Sequence, residues 1–448
     1  MEDEEARKAE KPIVDAAAAT ALASELYGLT VVPGTIKELD SYDDRNFYFR
    51  ATPSSPPPAS DANATTDSSG TFHFVLKVHN GVESQAPAFI EAQNEAMELV
   101  RKSGTWSPRA IPSVGGLQIA TAERALASGT LRKHAVRLLP FRPGKLLGDV
   151  VPSLELLGEI GKCAAAVTAA LSEYEHPATV RVFMWDLAQA ADIAGLLPHL
   201  PAERRETVDG VLADFKSVVL PLASKLQKSV IHGDLNDQNV LIDETGSAVL
   251  GVIDFGDMMH SWRVNEIAIT AAYILIMLEY ERSADAAAPP EPGSALVALV
   301  QSYTALVPLT EEEWTVLPIL ISCRVAVSLT VGAYSSSKDP DVSAQQAPYS
   351  LGCVNTCGQS ALSRHRLTVS NASIPSADSA PIPMRRRMST SSSRSSLAGR
   401  HFRRCAPCPT PSGASASRHR PLPFEATLLA PHTCPADGCD RAHVSWCT

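Results

Sequence analysis

A two-lobed α+β fold follows from three features of the sequence. Residues up to about 140 contain several short runs rich in β-branched and aromatic residues, with two helical stretches among them. From about residue 150 the apolar residues recur mostly at helical spacing, with three short strands between helices. Between the two regimes, Pro140, Pro143 and Gly144 form a breaker cluster. A strand-rich lobe with an antiparallel sheet therefore spans 12–140, and a larger helical lobe spans 141–335.

Each element has a local reason. Ile13, Ala16, Ala17, Leu22 and Leu26 predict a helix over 12–27, stopped by Gly28. Thr30–Leu39 reads as a strand, Ser41–Asn46 as a polar loop and Phe47–Arg50 as a second strand. Residues 52–70 are Pro/Ser/Ala-rich without a period, which predicts a flexible insertion. Phe72–His79 alternates as a third strand, and Ile90, Met97 and Val100 mark a helix over 88–102. Ala135–Pro140 is a short apolar strand. In the second lobe, helices are expected at 154–173, 202–226 (broken near Pro221), 265–281, 294–306 and 311–334. Short strands are expected at 229–232, 240–243 and 249–254. From about 336 to 448, Ser, Pro, Ala and Arg dominate, periodicity disappears, and the composition predicts low order.

Charge separates the same regions. Residues 351–448 carry twelve Arg, no Lys and four acidic residues, so most of the acidity behind the overall −10 lies in the first 350 residues. An acidic body argues against nucleic acid and anionic membrane as partners and suits a cationic small molecule. Residues 1–10 lack the apolar core of a secretory signal and the Arg-rich character of a transit peptide, so a cytoplasmic protein is expected. The longest apolar run, Ile267–Leu278, is too short to span a bilayer. Cys163 and Cys323 are the only cysteines in the body, which excludes a disulfide framework there. The tail cysteines, including Cys405, Cys408, Cys434 and Cys439, lack a surrounding apolar core and read as part of the low-order tail rather than a zinc module.

The chemistry concentrates in Val230–Asp243, which contains His232-Gly233-Asp234 and Asn239, followed by Asp254-Phe255-Gly256-Asp257. Phosphoryl transfer needs positioning and charge neutralisation more than covalent chemistry. One carboxylate must orient the attacking hydroxyl and accept its proton, a role Asp234 fits. A carboxylate and an amide oxygen must hold Mg²⁺, which prefers hard oxygen ligands; Asp254 and Asn239 fit. The order and spacing match those of a protein-kinase catalytic loop and metal motif, so the two-lobed fold reads as protein-kinase-like. His232 reads as a structural residue holding the loop. A nucleotide, GTP or ATP, then needs a strand Lys for its phosphates, and Lys77 has that context. Its orienting carboxylate would be Glu91 or Glu95 on the following helix, with Glu91 preferred. No Gly-rich phosphate loop or Walker motif occurs, so Ser41, Arg45 and Asn46 occupy the phosphate-covering position. Leu138–Gly144 would form the hinge, with Leu138 lending backbone groups to the purine.

These residues resemble the aminoglycoside phosphotransferase and choline kinase group. Within it, Leu39–Phe47, Ile90–Asn94, Val136–Pro140, Met184–Leu187 and Gly251–Met258 look like the hydroxylysine kinase branch, over about residues 12–336. The resemblance implies transfer of a γ-phosphoryl group, usually from GTP, to the hydroxyl of 5-hydroxy-L-lysine. It implies Asp234 as base and Asn239 and Asp254 as Mg²⁺ ligands. It puts Trp185 and Asp186 on the substrate side, with Asp257 a second acidic contact and Glu266 a brace for the catalytic loop. Homoserine, choline or an aminoglycoside are the alternative acceptors, and an inactive nucleotide-binding pseudokinase is the alternative class. Two departures stand out: Asn236 replaces a His frequent in the broad group, and the Ser/Pro/Arg-rich tail begins where family members continue with ordered helix.

Overall fold

The computed structural model describes residues 2–41, 43–53, 70–283 and 289–338. The expected insertion, apart from its edges, and the tail beyond 338 lie outside the described residues, as does Tyr42.

The first lobe is an antiparallel six-stranded sheet of β1 (Leu29–Val31), β2 (Lys37–Leu39), β3 (Arg45–Pro53), β4 (Phe72–Val78), β5 (Ala120–Ala125) and β6 (Leu131–Pro140). The order is β1-β3-β4-β6-β5, and β2 pairs with β3 beside β1. The single strand expected at 30–39 is thus two short ones, divided at Pro33-Gly34. The sheet alternates as its pleat requires. Phe47, Phe49, Phe74, Leu76, Val78, Val136 and Leu138 face a core shared with Leu22, Ala23 and Tyr27 of α2 (Ala16–Tyr27). That helix starts later than its period suggested, because Asp15 caps it by accepting from the Ala18 N–H at 2.7 Å. The opposite face carries Asn46, Lys77 and Arg137, which stand opposite one another in register.

Three further helices border this sheet: α1 (Glu2–Ala9), the single turn α3 (Gly81–Ser84) and α4 (Pro87–Lys102). Phe89, Met97 and Val100 of α4 join the core of the second lobe.

That lobe begins with β7 (Lys145–Leu146) and α5 (Leu154–Leu171), followed by 3₁₀ turns over Leu187–His199 and α6 (Ala202–Asp214). A π-helical stretch at Phe215–Val219 carries α6 into α7 (Leu220–Leu222), where Pro221 was expected to break the helix. Strands β8 (Lys228–Ile231), β9 (Val240–Ile242), β10 (Val249–Val252) and β11 (Met259–Trp262) precede α8 (Val264–Ser283), α9 (Pro292–Thr304) and α10 (Glu311–Lys338). They form a three-stranded sheet, β10-β9-β7, and a β11-β8 pair. α10 is long and apolar enough to cross a membrane by length and composition, but 72% of its most apolar window is buried. It is the core helix of this lobe.

The lobes are joined at close quarters by Trp106, whose carbonyl accepts from the Val252 N–H at 2.9 Å. A Cβ on Gly251 would collide with that same carbonyl oxygen, so only glycine permits the approach.

Candidate active site

A cleft between the sheet and the β10 end is lined by Asn46, Val75, Lys77, Gln93, Arg137, Leu139, Asp254 and Phe255, among others. Lys77 is buried, with its Nζ 3.0 Å from Asp44 Oδ2. Burial works against its charge, but Asp254, Asp44 and Glu83 hold its pKa above the ordinary value. The carboxylate paired with Lys77 therefore comes from the β2–β3 hairpin, not from a helix Glu. Glu91 and Glu95 are exposed, and Glu95 accepts from the Tyr174 hydroxyl at 2.8 Å. The reason is helical phase: Gln93, Met97 and Val100 take the inward face of α4, which leaves positions 91 and 95 outward. Gln93 and Asn94 instead accept from Arg137 Nη2 and Nη1 at 2.7 and 2.9 Å.

Two further expectations need correction. Arg45 turns to the outer face, donating to Glu38 Oε1 at 2.6 Å and to the Pro12 carbonyl at 3.1 Å. Leu138 is not a hinge: its side chain lies in the first-lobe core and its carbonyl accepts from the Ile111 N–H at 2.8 Å. Strand parity puts Leu139 on the cleft side instead. Ser41 stays in the hairpin loop, where its hydroxyl accepts from the Asp44 N–H at 3.3 Å. Asn46 does line the cleft, buried, with Oδ1 lacking a hydrogen-bond partner.

On the other wall, β8 delivers the catalytic-loop candidates. Gly233 turns the chain with φ 77°, and a Cβ there would lie 2.8 Å from the Asp257 carbonyl oxygen. Glu266 on α8 accepts from the His232 and Gly233 N–H groups at 2.6 and 3.3 Å. Burial pushes its pKa up to about 7. His232 Nδ1 accepts from the Asp234 N–H at 3.3 Å, which leaves Nε2–H to donate to the Ile253 carbonyl at 3.0 Å. Burial lowers its pKa to about 4, so the imidazole is neutral. The Ile253 N–H in turn donates to the Asn239 carbonyl at 3.0 Å. These two bonds bring the Asp254 turn beside Asn239.

Asp234 is buried. Its Oδ2 accepts from Asn236 and Asn239 Nδ2 at 3.0 and 2.8 Å. Its Oδ1 accepts from Arg324 Nη2 at 3.1 Å. Burial, and then the charge of Asp257, push its pKa well above the usual carboxylate range, and Arg324 opposes them. Asn239 spends its amide N–H on Asp234, leaving Oδ1 buried without a hydrogen-bond partner. Asp254 has φ 61°, the only positive value for a non-glycine among the described residues, a backbone state that costs energy and is common at functional sites. An orphaned amide oxygen beside a carboxylate is a donor set that suits Mg²⁺.

Farther along, Asp257 is 5% exposed; burial raises its pKa, and the charges of Arg181, Arg7 and Arg324 oppose that. Asp186 caps the 3₁₀ run and also accepts from the Ser261 hydroxyl. Trp185 lies over Arg324, 4.9 Å from the guanidinium carbon to the ring centre. Sequence reasoning missed Asp44, Arg137 and Arg324. For Arg137 the signal was a cation inside an apolar strand. For Arg324 it was a lone cation in a long apolar helix.

Asp44, His79 and Glu83 offer three ligand atoms within 4.8 Å of one another. Lys77 and Arg7 already pair with these carboxylates, and Arg137 Nε meets His79 Nε2 at 3.0 Å, so the cluster is an ion-pair network.

Comparison with known proteins shows the family and the fold. The model of the phosphotransferase enzyme family, APH, matches residues 35–298. Hydroxylysine kinase of Xenopus laevis is 31% identical over 74% of this chain and 85% of its own length. That of Mus musculus is also 31% identical, with the same coverage. Among solved structures, an amicoumacin kinase in complex with AMP-PNP, Ca²⁺ and Ami superposes with a TM-score of 0.54 at 14% identity. The match spans 83% of this chain and 96% of that one, and it shows the shared kinase-like fold. The chain therefore belongs to the APH phosphotransferase enzyme family and is a small-molecule kinase that acts on a hydroxyl acceptor.

Proposed function

We propose that the chain transfers the γ-phosphoryl group of GTP or ATP, with Mg²⁺, to the hydroxyl of 5-hydroxy-L-lysine or a similar amine-bearing metabolite in the cytoplasm. The observation that carries the acceptor class is Asp257. Burying a carboxylate is costly, and this one lies beside Asp234, on which it acts more strongly than any other charge, with only the charges of Arg181, Arg7 and Arg324 set against it. An ammonium group on the acceptor would add a further cation against it while the acceptor hydroxyl rests on Asp234. The hydroxylysine kinase relatives support the same acceptor. The AMP-PNP and Ca²⁺ of the amicoumacin kinase complex support a nucleotide and a divalent cation.

In this reading Lys77 and Asn46 meet the nucleotide phosphates, and Ser41 lies in the loop that covers them. Asn239 Oδ1 and the Asp254 carboxylate would hold Mg²⁺, which when bound neutralises phosphate charge. Asp234 orients the acceptor hydroxyl and takes its proton. The acceptor oxygen bonds to the γ-phosphorus as the bond from that phosphorus to the nucleoside diphosphate oxygen breaks. Trp185 and Asp186 wall the acceptor side.

The test is phosphate transfer from GTP and from ATP to 5-hydroxy-L-lysine and a panel of amino alcohols, by wild type, Asp234→Ala and Asp257→Asn. Turnover should fall about 10²–10⁴-fold in Asp234→Ala with nucleotide affinity near wild type. Asp257→Asn should raise the acceptor KM and leave the nucleotide KM alone. Wild-type turnover on another acceptor, and none on hydroxylysine, would replace the substrate.

A further inference from the structure

Asp234 is gripped by a residue that the base-and-metal motif does not contain. An ionised carboxylate offers about four lone-pair positions, two on each oxygen. Oδ2 has two donors, Asn236 and Asn239. Oδ1 has one, Arg324 Nη2. A single position on Oδ1 is left for an acceptor hydroxyl. The oxygen that would receive the proton is thus the one Arg324 holds.

Arg324 comes from α10, ninety residues beyond Asp234, and is 1% exposed. Its guanidinium is held at both terminal nitrogens, while Nε is buried without a hydrogen-bond partner. Nη1 donates to the Trp185 carbonyl at 3.1 Å and Nη2 also donates to the Tyr273 hydroxyl at 3.2 Å. The rings of Trp185 and Tyr273 lie 4.9 and 5.2 Å from its central carbon. Asp234 is its one ion-pair partner among the described residues. Such a frame holds a planar fork in one orientation, which a flexible ammonium would not match.

We propose that Arg324 is a positioning residue for phosphoryl transfer: framed by Trp185 and Tyr273, it turns the free lone pair of Asp234 Oδ1 toward the acceptor hydroxyl. The proposal rests on Asp234 being the base. A salt bridge kept only for folding could be replaced by an apolar side chain or tuned by Lys without touching kcat selectively.

The experiment measures kcat and both KM values for Arg324→Met, Arg324→Lys, Arg324→Ala and Tyr273→Phe, with Asp234→Ala alongside and thermal unfolding recorded for each. Arg324→Met should lose about 10²-fold in kcat with nucleotide KM within about twofold. Arg324→Lys should recover part of that loss, and added guanidinium ion should partly restore Arg324→Ala. Tyr273→Phe, which leaves the ion pair in place, should lower kcat more mildly and serves if Arg324→Met does not fold. Near wild-type kcat in Arg324→Lys and Tyr273→Phe, or a loss confined to nucleotide KM, would overturn the proposal. Turnover retained in Asp234→Ala would instead overturn the reading of the base, so the two failures are distinct.

Discussion

Lys77 keeps its charge where burial opposes it, because Asp254, Asp44 and Glu83 surround it. Removing the direct partner should therefore matter more than removing either helix carboxylate. Asp44→Asn should raise nucleotide KM about tenfold, as expected for loss of one buried charge pair, whereas Glu91→Ala should stay within about twofold, as surface substitutions do. Steady-state kinetics at fixed acceptor checks both, and equal effects would return the pairing to α4. Lys77 was legible in the sequence because a cation in an alternating strand must face away from the apolar core. Its partner was not, because the hairpin loop that supplies Asp44 has no period to read. The same parity rule, applied one residue further, would have moved the cleft position from Leu138 to Leu139.

Elements were most legible where the pattern was long. The helices at 87–102, 154–171, 264–283 and 311–338 and the strands at 72–78, 228–231 and 240–242 lie within a few residues of their sequence-based positions. β5 was missed because Ala-Thr-Ala-Glu-Arg-Ala carries little β-propensity; its pairing with β6 in a hairpin decides it. α1 is too short and charged to show an apolar face, yet Arg7 buries its guanidinium between Asp43 and Glu83 at 2.6 and 2.7 Å. Contacts between elements leave even less trace. The approach of β10 to Trp106 appears in the sequence only as Gly251, one glycine in a strand. Gly251→Ala must push the Trp106 carbonyl away or bend β10, at a cost of about 1–3 kcal/mol. The melting temperature should fall by several degrees, and a variant that melts with wild type would show that the strand and Trp106 can separate freely.

Over the whole molecule, stability against pH should hide two opposed titrations in the brace of the catalytic loop. Neither is visible in a sequence, since both arise from burial against distant segments. His232 has its pKa lowered to about 4 by burial. Its unfolded form binds a proton near the ordinary 6.5 while the folded form does not, so it makes stability rise as pH climbs from about 4 to 6.5. Glu266 has its pKa raised to about 7, again by burial. Its folded form keeps a proton that the unfolded form has released above the ordinary 4.5, so it makes stability fall as pH climbs from about 4.5 to 7. Each displacement corresponds to roughly 3 kcal/mol, and over the shared window they nearly cancel. Glu266→Gln removes one of the pair. The variant should then gain stability with rising pH across this window more steeply than wild type. The difference in unfolding free energy, wild type minus variant, should fall by about 3 kcal/mol between pH 4.5 and 7. Urea unfolding at intervals of half a pH unit measures it, and subtraction cancels titrations common to both proteins. A difference that stays flat with pH would mean that Glu266 is ionised throughout, with its two backbone N–H bonds offsetting the burial that here raises its pKa.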